Sequence, residues 1–333
     1  MRVRLGLAFA IIIILAVVTS IVVWFAPERA ESSFPPKYDL GKERSSEPQF
    51  YQMDIEIITR ASNGSVASVE TYSMQLRGQQ GDLAAGVGDR WTCAWLALKL
   101  GDSPEVTVPE MEGWTYDFNR RVGIDEHGQV LGISHAKFES LTDSKGKNLA
   151  PLVGYQIYNQ FVQFHAFVDK FATADLDGGK GIQDLKNIGD SIVFDEFSED
   201  LPLAVGLIIK EGSIYKAGKE TLEFKGVSVV ADKPCALLGV DGGEGSYTMA
   251  IEVGPKVISN TVGGTRYFGD IHVDLESMWL KKAAITVIDV TETSIENQVV
   301  ANTTIESRYR IWSITEEEYR ERKSQHTKRT EKQ

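Results

Sequence analysis

The chain has 333 residues, with 47 acidic and 35 basic side chains and a formal net charge of -12. Binding to nucleic acid depends on Lys and Arg side chains that displace counterions from phosphates, so this acidic balance excludes nucleic acid as a partner. The two cysteines are not spaced with a second Cys or a His as zinc ligands are, which excludes a structural zinc site.

The first element is an uncharged apolar segment from Leu5 to Ala26. About twenty apolar residues span a bilayer, whereas the apolar part of a cleavable signal holds roughly 7–15. We therefore predict that residues 1–26 form an uncleaved transmembrane anchor, with a cleaved signal peptide as the alternative. The short leader with Arg2 and Arg4 favours a cytoplasmic N terminus and an extracytoplasmic domain. Basic residues also follow the segment, so the reversed orientation stays open.

Residues 27–48 are polar, contain Pro35-Pro36 and have no apolar period. This composition predicts a flexible tether. A globular region is expected from residue 49 to residue 314. The charged stretch 315–333 is predicted to be a short helix end followed by a solvated tail.

Alternation of apolar and polar residues begins at Tyr51 and resumes after the turn signal Asn63-Gly64. Period two in adjacent segments predicts an antiparallel hairpin. The sequence Trp91-Thr92-Cys93-Ala94-Trp95 predicts a third strand that is apolar on both faces. A further pair of strands, near 118–124 and 129–138, is predicted around a turn at 125–128.

Residues 151–171 carry the pattern of the one long helix of the globular region. Pro151 is suited to a first helical turn, and aromatic residues recur at helical spacing. Phe161, Phe164 and His165 fall on the face that should meet a sheet, where they are candidates for lining a ligand groove. A core histidine bonded to a backbone carbonyl is the structural alternative for His165.

Alternation returns after the helix and predicts five more strands, near 221–231, 246–253, 265–275, 279–290 and 303–314. The fold class is therefore α+β and mainly antiparallel β, with a curled sheet or half-barrel packed on one long helix and preceded by the transmembrane helix.

Asp270, His272 and Asp274 alternate with apolar residues on one predicted strand. Strand geometry projects the three side chains from the same face, where two carboxylates and an imidazole are suitable metal ligands. The alternative is an ordinary solvated strand face. Cys93 and Cys235 are candidates for one disulfide in an oxidising compartment, although two buried thiols are favoured.

The sequence contains no phosphate loop, nucleophile elbow or metalloprotease helix, so no cofactor is predicted. The favoured hypothesis is a membrane-anchored, non-catalytic module of the cell envelope that binds another protein or a lipid-like molecule. Alternatives are a carrier of a hydrophobic ligand in a half-barrel cavity, a metal-assisted hydrolase that uses Asp270, His272 and Asp274, and a structural protein that pairs through sheet edges.

Overall fold

The computed structural model describes residues 38–82, 87–119, 130, 132–175, 178–194, 201–203, 206–254 and 257–330. The predicted anchor and the first part of the predicted tether lie outside these residues. No helix in the described ranges is long and apolar enough to cross a membrane.

The described residues form fourteen strands. Their bounds are Gln49–Ala61 (β1), Val66–Gln79 (β2), Asp89–Leu100 (β3), Val106–Thr107 (β4), Thr115–Phe118 (β5), Ser191–Phe194 (β6), Leu201–Pro202 (β7), Ile214–Lys216 (β8), Glu220–Val230 (β9), Lys233–Asp241 (β10), Gly245–Gly254 (β11), Val257–Asp274 (β12), Leu280–Ile295 (β13) and Gln298–Ser313 (β14).

These strands form one antiparallel sheet in the order β4-β3-β2-β1-β14-β13-β12-β10-β9-β6. Along this path β4 and β6 are the ends, and they are not paired with each other. Strand β12 pairs with β10 through one half of its length and with β11 through the other half, and β11 continues to β8 and β7. The sheet is therefore curled and unclosed, which confirms the predicted mainly antiparallel architecture.

One long helix, α1 (Pro151–His165), covers one face of the sheet, which we call the inner face. Tyr51, Met53 and Ile55 alternate along β1 and are fully buried on this side. Helix α1 runs directly into a π-helical turn, Ala166–Lys170. The helix predicted over 151–171 is thus present, with a wider last turn that places Asp169 inside the core.

The opposite, outer face carries a second helix, α2 (Glu316–Thr330). The helix begins with a capping box, because the Thr315 hydroxyl accepts the Glu318 amide at 3.1 Å and the Glu318 carboxylate accepts the Thr315 amide at 2.8 Å. Tyr319 contacts Phe50 of β1, and the ring centroids are 4.9 Å apart. The stretch predicted to be a short helix end and a solvated tail is helical from Glu316 to Thr330, and acidic residues precede basic ones in the order that the helix dipole favours.

The last part of the predicted tether, residues 39–48, is packed on the sheet. Leu40 is 1% exposed, and the Ser45 amide donates to the Ser277 carbonyl oxygen at 2.8 Å. The indole of Trp279 donates to the Ser45 carbonyl oxygen at the same distance. These residues belong to the folded domain. Their mostly polar composition predicted a tether, because composition alone does not reveal which side chains are buried.

The strand predicted near 129–138 is wrong, because residues His135–Lys137 form a short 3-10 helix. The turn predicted at 125–128 lies outside the described residues. Strand β10 had no counterpart in the sequence analysis, since Pro234 and Gly239 interrupt its pattern.

Candidate functional site

A group of buried polar side chains lies around the first packed segment of the domain, residues 39–48. It joins five side chains, which we call the Arg44 cluster: Arg44, Asp89, Asp169, His165 and Tyr116. They come from the 39–48 segment, β3, the π-helical turn, α1 and β5. Each residue is at most 8% exposed, so the cluster ties these five parts of the fold together inside the core.

Arg44 forms the centre of the cluster and binds two carboxylates. One guanidinium nitrogen contacts Asp89, and the other donates to Asp169 Oδ1 at 3.0 Å. The guanidinium also lies over the Trp279 ring, 3.8 Å from its centroid. Planar stacking and two carboxylate contacts are the geometry for which Arg is suited and Lys is not.

Asp169 also contacts His165, and His165 in turn contacts Tyr116, so the three side chains form a chain of hydrogen bonds. Its Oδ2 lies 2.6 Å from His165 Nδ1, and His165 Nε2 lies 2.8 Å from the Tyr116 hydroxyl. An ionised carboxylate only accepts, so Nδ1 carries a proton. The His165 ring stacks on Phe118 with centroids 3.8 Å apart, which fixes its plane.

The two carboxylates around Arg44 differ in their electrostatics. Burial raises the pKa of Asp89, and the nearby Arg44 charge offsets this only in part. Burial also acts to raise the pKa of Asp169, but the hydrogen bond and charge of His165, together with Arg44, outweigh it and hold the pKa below the usual range. Asp169 is therefore ionised near neutral pH.

A tyrosine, histidine and aspartate in a chain resemble the base and orienting groups of nucleophilic enzymes. In those enzymes, however, the reacting group meets substrate in a cleft. Tyr116 is 7% exposed and His165 is 2% exposed, so neither meets a substrate at the surface. The arrangement is suited to holding the 39–48 segment in a fixed place.

The predicted groove residues Phe161, Phe164 and His165 all lie in this core. Phe161 and Phe164 are fully buried, and Phe164 packs edge-on against Trp91 with centroids 5.0 Å apart. None of the three lines a described depression of the surface. A ligand groove at these residues stays a prediction, and their present contacts are with protein side chains.

Asp270, His272 and Asp274 lie on β12 as predicted, but each has its own partner. Lys225 pairs with Asp270 at 2.8 Å, and Ser228 contacts His272 Nδ1 at 2.8 Å. Asp274 accepts the backbone amides of Glu276 and Ser277. Within the described ranges no group of three or more His, Cys, Asp or Glu residues is arranged to hold a metal ion. Metal binding here stays a prediction.

Cys93 and Cys235 are both buried and free. Burial raises the pKa of the Cys93 thiol to about 12 and that of Cys235 to about 11. Both groups are therefore protonated at neutral pH, which makes them weak nucleophiles and weak metal ligands.

The outer face has an open depression of about 600 Å³ at the far end of β1 from helix α2. Four residues in register cross its floor: Arg60 of β1 is paired with Thr304 of β14, Thr304 with Val290 of β13, and Val290 with Gly264 of β12. Val262 is two residues before Gly264 on β12, so its side chain lies on the same face. Val262 and Val290 are 56% and 58% exposed, so the depression has an open apolar surface.

Sequence reasoning missed the Arg44 cluster and this depression. The spacing of His165 and Asp169, four residues apart on a helix, was a visible signal for part of the cluster. Arg44 gave no such signal, because its partners are 45 and 125 residues away. The depression depends on the register of four strands, which alternation alone does not give.

Comparison with known proteins assigns no family. No family model matches the chain, and no curated protein matches it. Among solved structures, a lipovitellin described for its lipid–protein interactions aligns with a TM-score of 0.35 at 11% identity. The alignment covers 82% of this chain and 26% of the lipovitellin chain. OmpF of Salmonella typhi in complex with daunomycin aligns with a TM-score of 0.23 at 8% identity, covering 83% of this chain and 99% of its own. An engineered protein studied for asymmetric conductivity aligns with a TM-score of 0.20 at 8% identity, covering 80% of this chain and 100% of its own. Likeness at this level assigns neither a fold family nor a function.

Proposed function

We propose that the chain is a membrane-anchored, non-catalytic binding module of the cell envelope. Its N terminus is cytoplasmic, residues 5–26 cross the membrane, and the sheet domain is extracytoplasmic. The observation that carries this proposal is the Arg44 cluster. A buried Arg with two carboxylates is costly to assemble, and here it fixes residues 39–48, the first packed segment of the domain.

The consequence for a tethered domain is a short linker. Leu40 is already buried, so only residues 27–39 connect the apolar segment to the packed chain. Thirteen residues reach at most about 45 Å when fully extended. A domain on such a linker works beside the membrane, where it meets envelope partners or lipid-like molecules.

The proposed lack of catalysis rests on the chemistry of the described groups. The His165 and Asp169 pair is closed to solvent, and the thiols of Cys93 and Cys235 are protonated. The surface of the described residues includes an exposed sheet face and a mainly apolar depression, and both are suited to binding.

Membrane fractionation of the full chain tests the proposal. We expect the full-length product in the membrane pellet after an alkaline carbonate wash, and digestion of its C-terminal part when protease is added outside intact spheroplasts. Ile13→Lys should move the product to the aqueous fraction or block its export, whereas the matched control Ser33→Lys should not. Recovery of the uncleaved wild-type chain from the aqueous fraction would overturn the proposal.

A further inference from the structure

The depression on the outer face is open because its floor lacks a side chain at Gly264. A Cβ added there would meet only the Gly245 carbonyl oxygen, at 3.8 Å. The neighbouring Gly263 faces the other side, where the Tyr247 ring lies on it. The floor is therefore an exposed strip of backbone with Val262 and Val290 beside it, and this strip accepts a slender apolar group.

A positively charged side chain, that of Arg60, lies at the edge of this apolar strip. The Arg60 guanidinium makes one long hydrogen bond, to the Gly64 carbonyl oxygen at 3.5 Å, and no ion pair within the described part of the chain. On the same face, Arg266 pairs with Asp241 and Arg308 pairs with Glu56. Arg60 is therefore able to accept an anionic group from a ligand without first losing a carboxylate.

The distances across the sheet fit an elongated ligand. Three strand spacings separate Arg60 in β1 from Gly264 in β12, which is roughly 14 Å. The Thr304 hydroxyl and the Val290 side chain lie between them. The volume of about 600 Å³ is within the range of roughly 300–1,000 Å³ that small-molecule sites occupy.

We infer that this depression binds a single-chain amphiphile with an anionic head, a carboxylate or a phosphate. The head binds Arg60, and the apolar chain lies along Val290 and Gly264 towards Val262. Glu292 on the rim is paired with Val262 across the strands and repels the head from that end, so the ligand has one orientation. This inference rests on the proposed function in that it names the ligand class of the binding module.

The occupant is a single molecule and not a bilayer surface. Binding to an anionic bilayer needs several basic side chains on one face, because each contributes little by itself. The depression offers Arg60 as its one cation and has Glu292 at the opposite end, in a chain of net charge -12. One cation is enough for one head group.

Photolabelling of the full chain tests the inference. The probe is dodecanoic acid with a diazirine at the far end of its chain, and the matched probe is a dodecyl trimethylammonium with the same diazirine. After irradiation, mass spectrometry of peptides locates the label. We expect the acid to label peptides of β12 and β13 about tenfold more than the cationic probe, since a charge-assisted hydrogen bond contributes roughly 1.5–3 kcal/mol.

Two variants test separately the binding of the ligand's anionic head group and the binding of its apolar tail. Gly264→Leu fills the floor and should reduce labelling by both probes, whereas Arg60→Gln should reduce labelling by the acid about tenfold and leave the cationic probe unchanged. Val229→Leu, on the β9–β10 hairpin, is the control for a larger exposed side chain. Circular dichroism checks that each variant is folded.

Equal labelling by the two probes would show a general apolar or bilayer contact and overturn the inference, as would unchanged acid labelling in Gly264→Leu. The experiment uses the full chain from whichever fraction contains it. Its outcome is therefore independent of membrane anchoring, and failure of either proposal is distinguishable from failure of the other.

Discussion

Arg44 donates from Nη1 to Asp169 Oδ1 across 125 residues of sequence, and both side chains are at most 4% exposed. This contact links the first packed segment of the domain to the end of its central helix. Removing one partner of a buried ion pair leaves an uncompensated charge, which costs about 3–5 kcal/mol. We therefore expect Arg44→Gln to lower the free energy of unfolding by that amount.

Chemical denaturation followed by tryptophan fluorescence measures this loss. Lys42→Gln is the matched control, because Lys42 is exposed two residues away and should change stability by less than about 0.5 kcal/mol. If Arg44→Gln is as stable as Lys42→Gln, the cluster does not hold the segment.

The two carboxylates of the cluster should give stability changes in different pH windows. Asp89 has a raised pKa, so the folded state takes up a proton before the unfolded state does, and its contribution to stability rises as the pH falls through that raised value towards 3.8. Asp169 has a lowered pKa, so its contribution is present above 3.8 and is lost as the pH falls through the lower value.

Urea unfolding from pH 7 to pH 3 separates the two effects. Compared with the wild type, Asp89→Asn should lack the rise in stability above pH 3.8. Asp169→Asn should lack the fall below that pH, on top of a general loss of stability. Parallel pH profiles for the wild type and both variants would contradict the assignment.

The regular parts of the fold were predictable because local patterns determine them. Alternation around Asn63-Gly64 predicted the β1–β2 hairpin, and Gly64 has the positive φ of +81° that such a turn requires. Pro151 and the aromatic spacing predicted helix α1. In each case the signal lies within about fifteen residues of sequence.

The candidate sites were not predictable for a physical reason. Arg44 lies in a segment whose composition matches a solvated tether, and only tertiary contacts with Asp89 and Asp169 give it a buried role. Arg60 and Gly264 are brought to one face by the register of β1, β14, β13 and β12. Register is a property of paired strands, and one strand read alone does not contain it.

Helix α2 should detach more easily than the rest of the domain. Its residues 316–330 include a single apolar side chain, Tyr319, and His326 stacks on Trp95 with centroids 4.4 Å apart. An aromatic pair of this kind contributes about 0.5–1.5 kcal/mol. We expect Tyr319→Ala to increase amide hydrogen exchange in α2 by about twofold to tenfold, while exchange in β1 and β14 is unchanged.

Hydrogen exchange with mass spectrometry resolves α2 from the sheet. Ser324→Ala, at an exposed position in the middle of the same helix, is the control and should not increase exchange. Exchange no higher in Tyr319→Ala than in Ser324→Ala would mean that the contact with Phe50 does not hold the helix.

Two physical effects oppose each other at Gly154 in helix α1, and the substitution Gly154→Ala shows which of them is larger. Ala is a better helix former than Gly by about 1 kcal/mol, which favours Gly154→Ala. However, a Cβ at this position would lie 2.4 Å from the Phe138 carbonyl oxygen, a backbone atom that cannot turn aside. Overpacking of this kind costs roughly 1–3 kcal/mol. We expect the clash to outweigh propensity, so the variant should unfold at a lower denaturant concentration than the wild type. Leu152→Ala, at a 49% exposed position in the first turn, controls for a change of helix surface and should be nearly neutral. A Gly154→Ala variant more stable than the wild type would show that the 132–138 segment moves away from the helix at little cost.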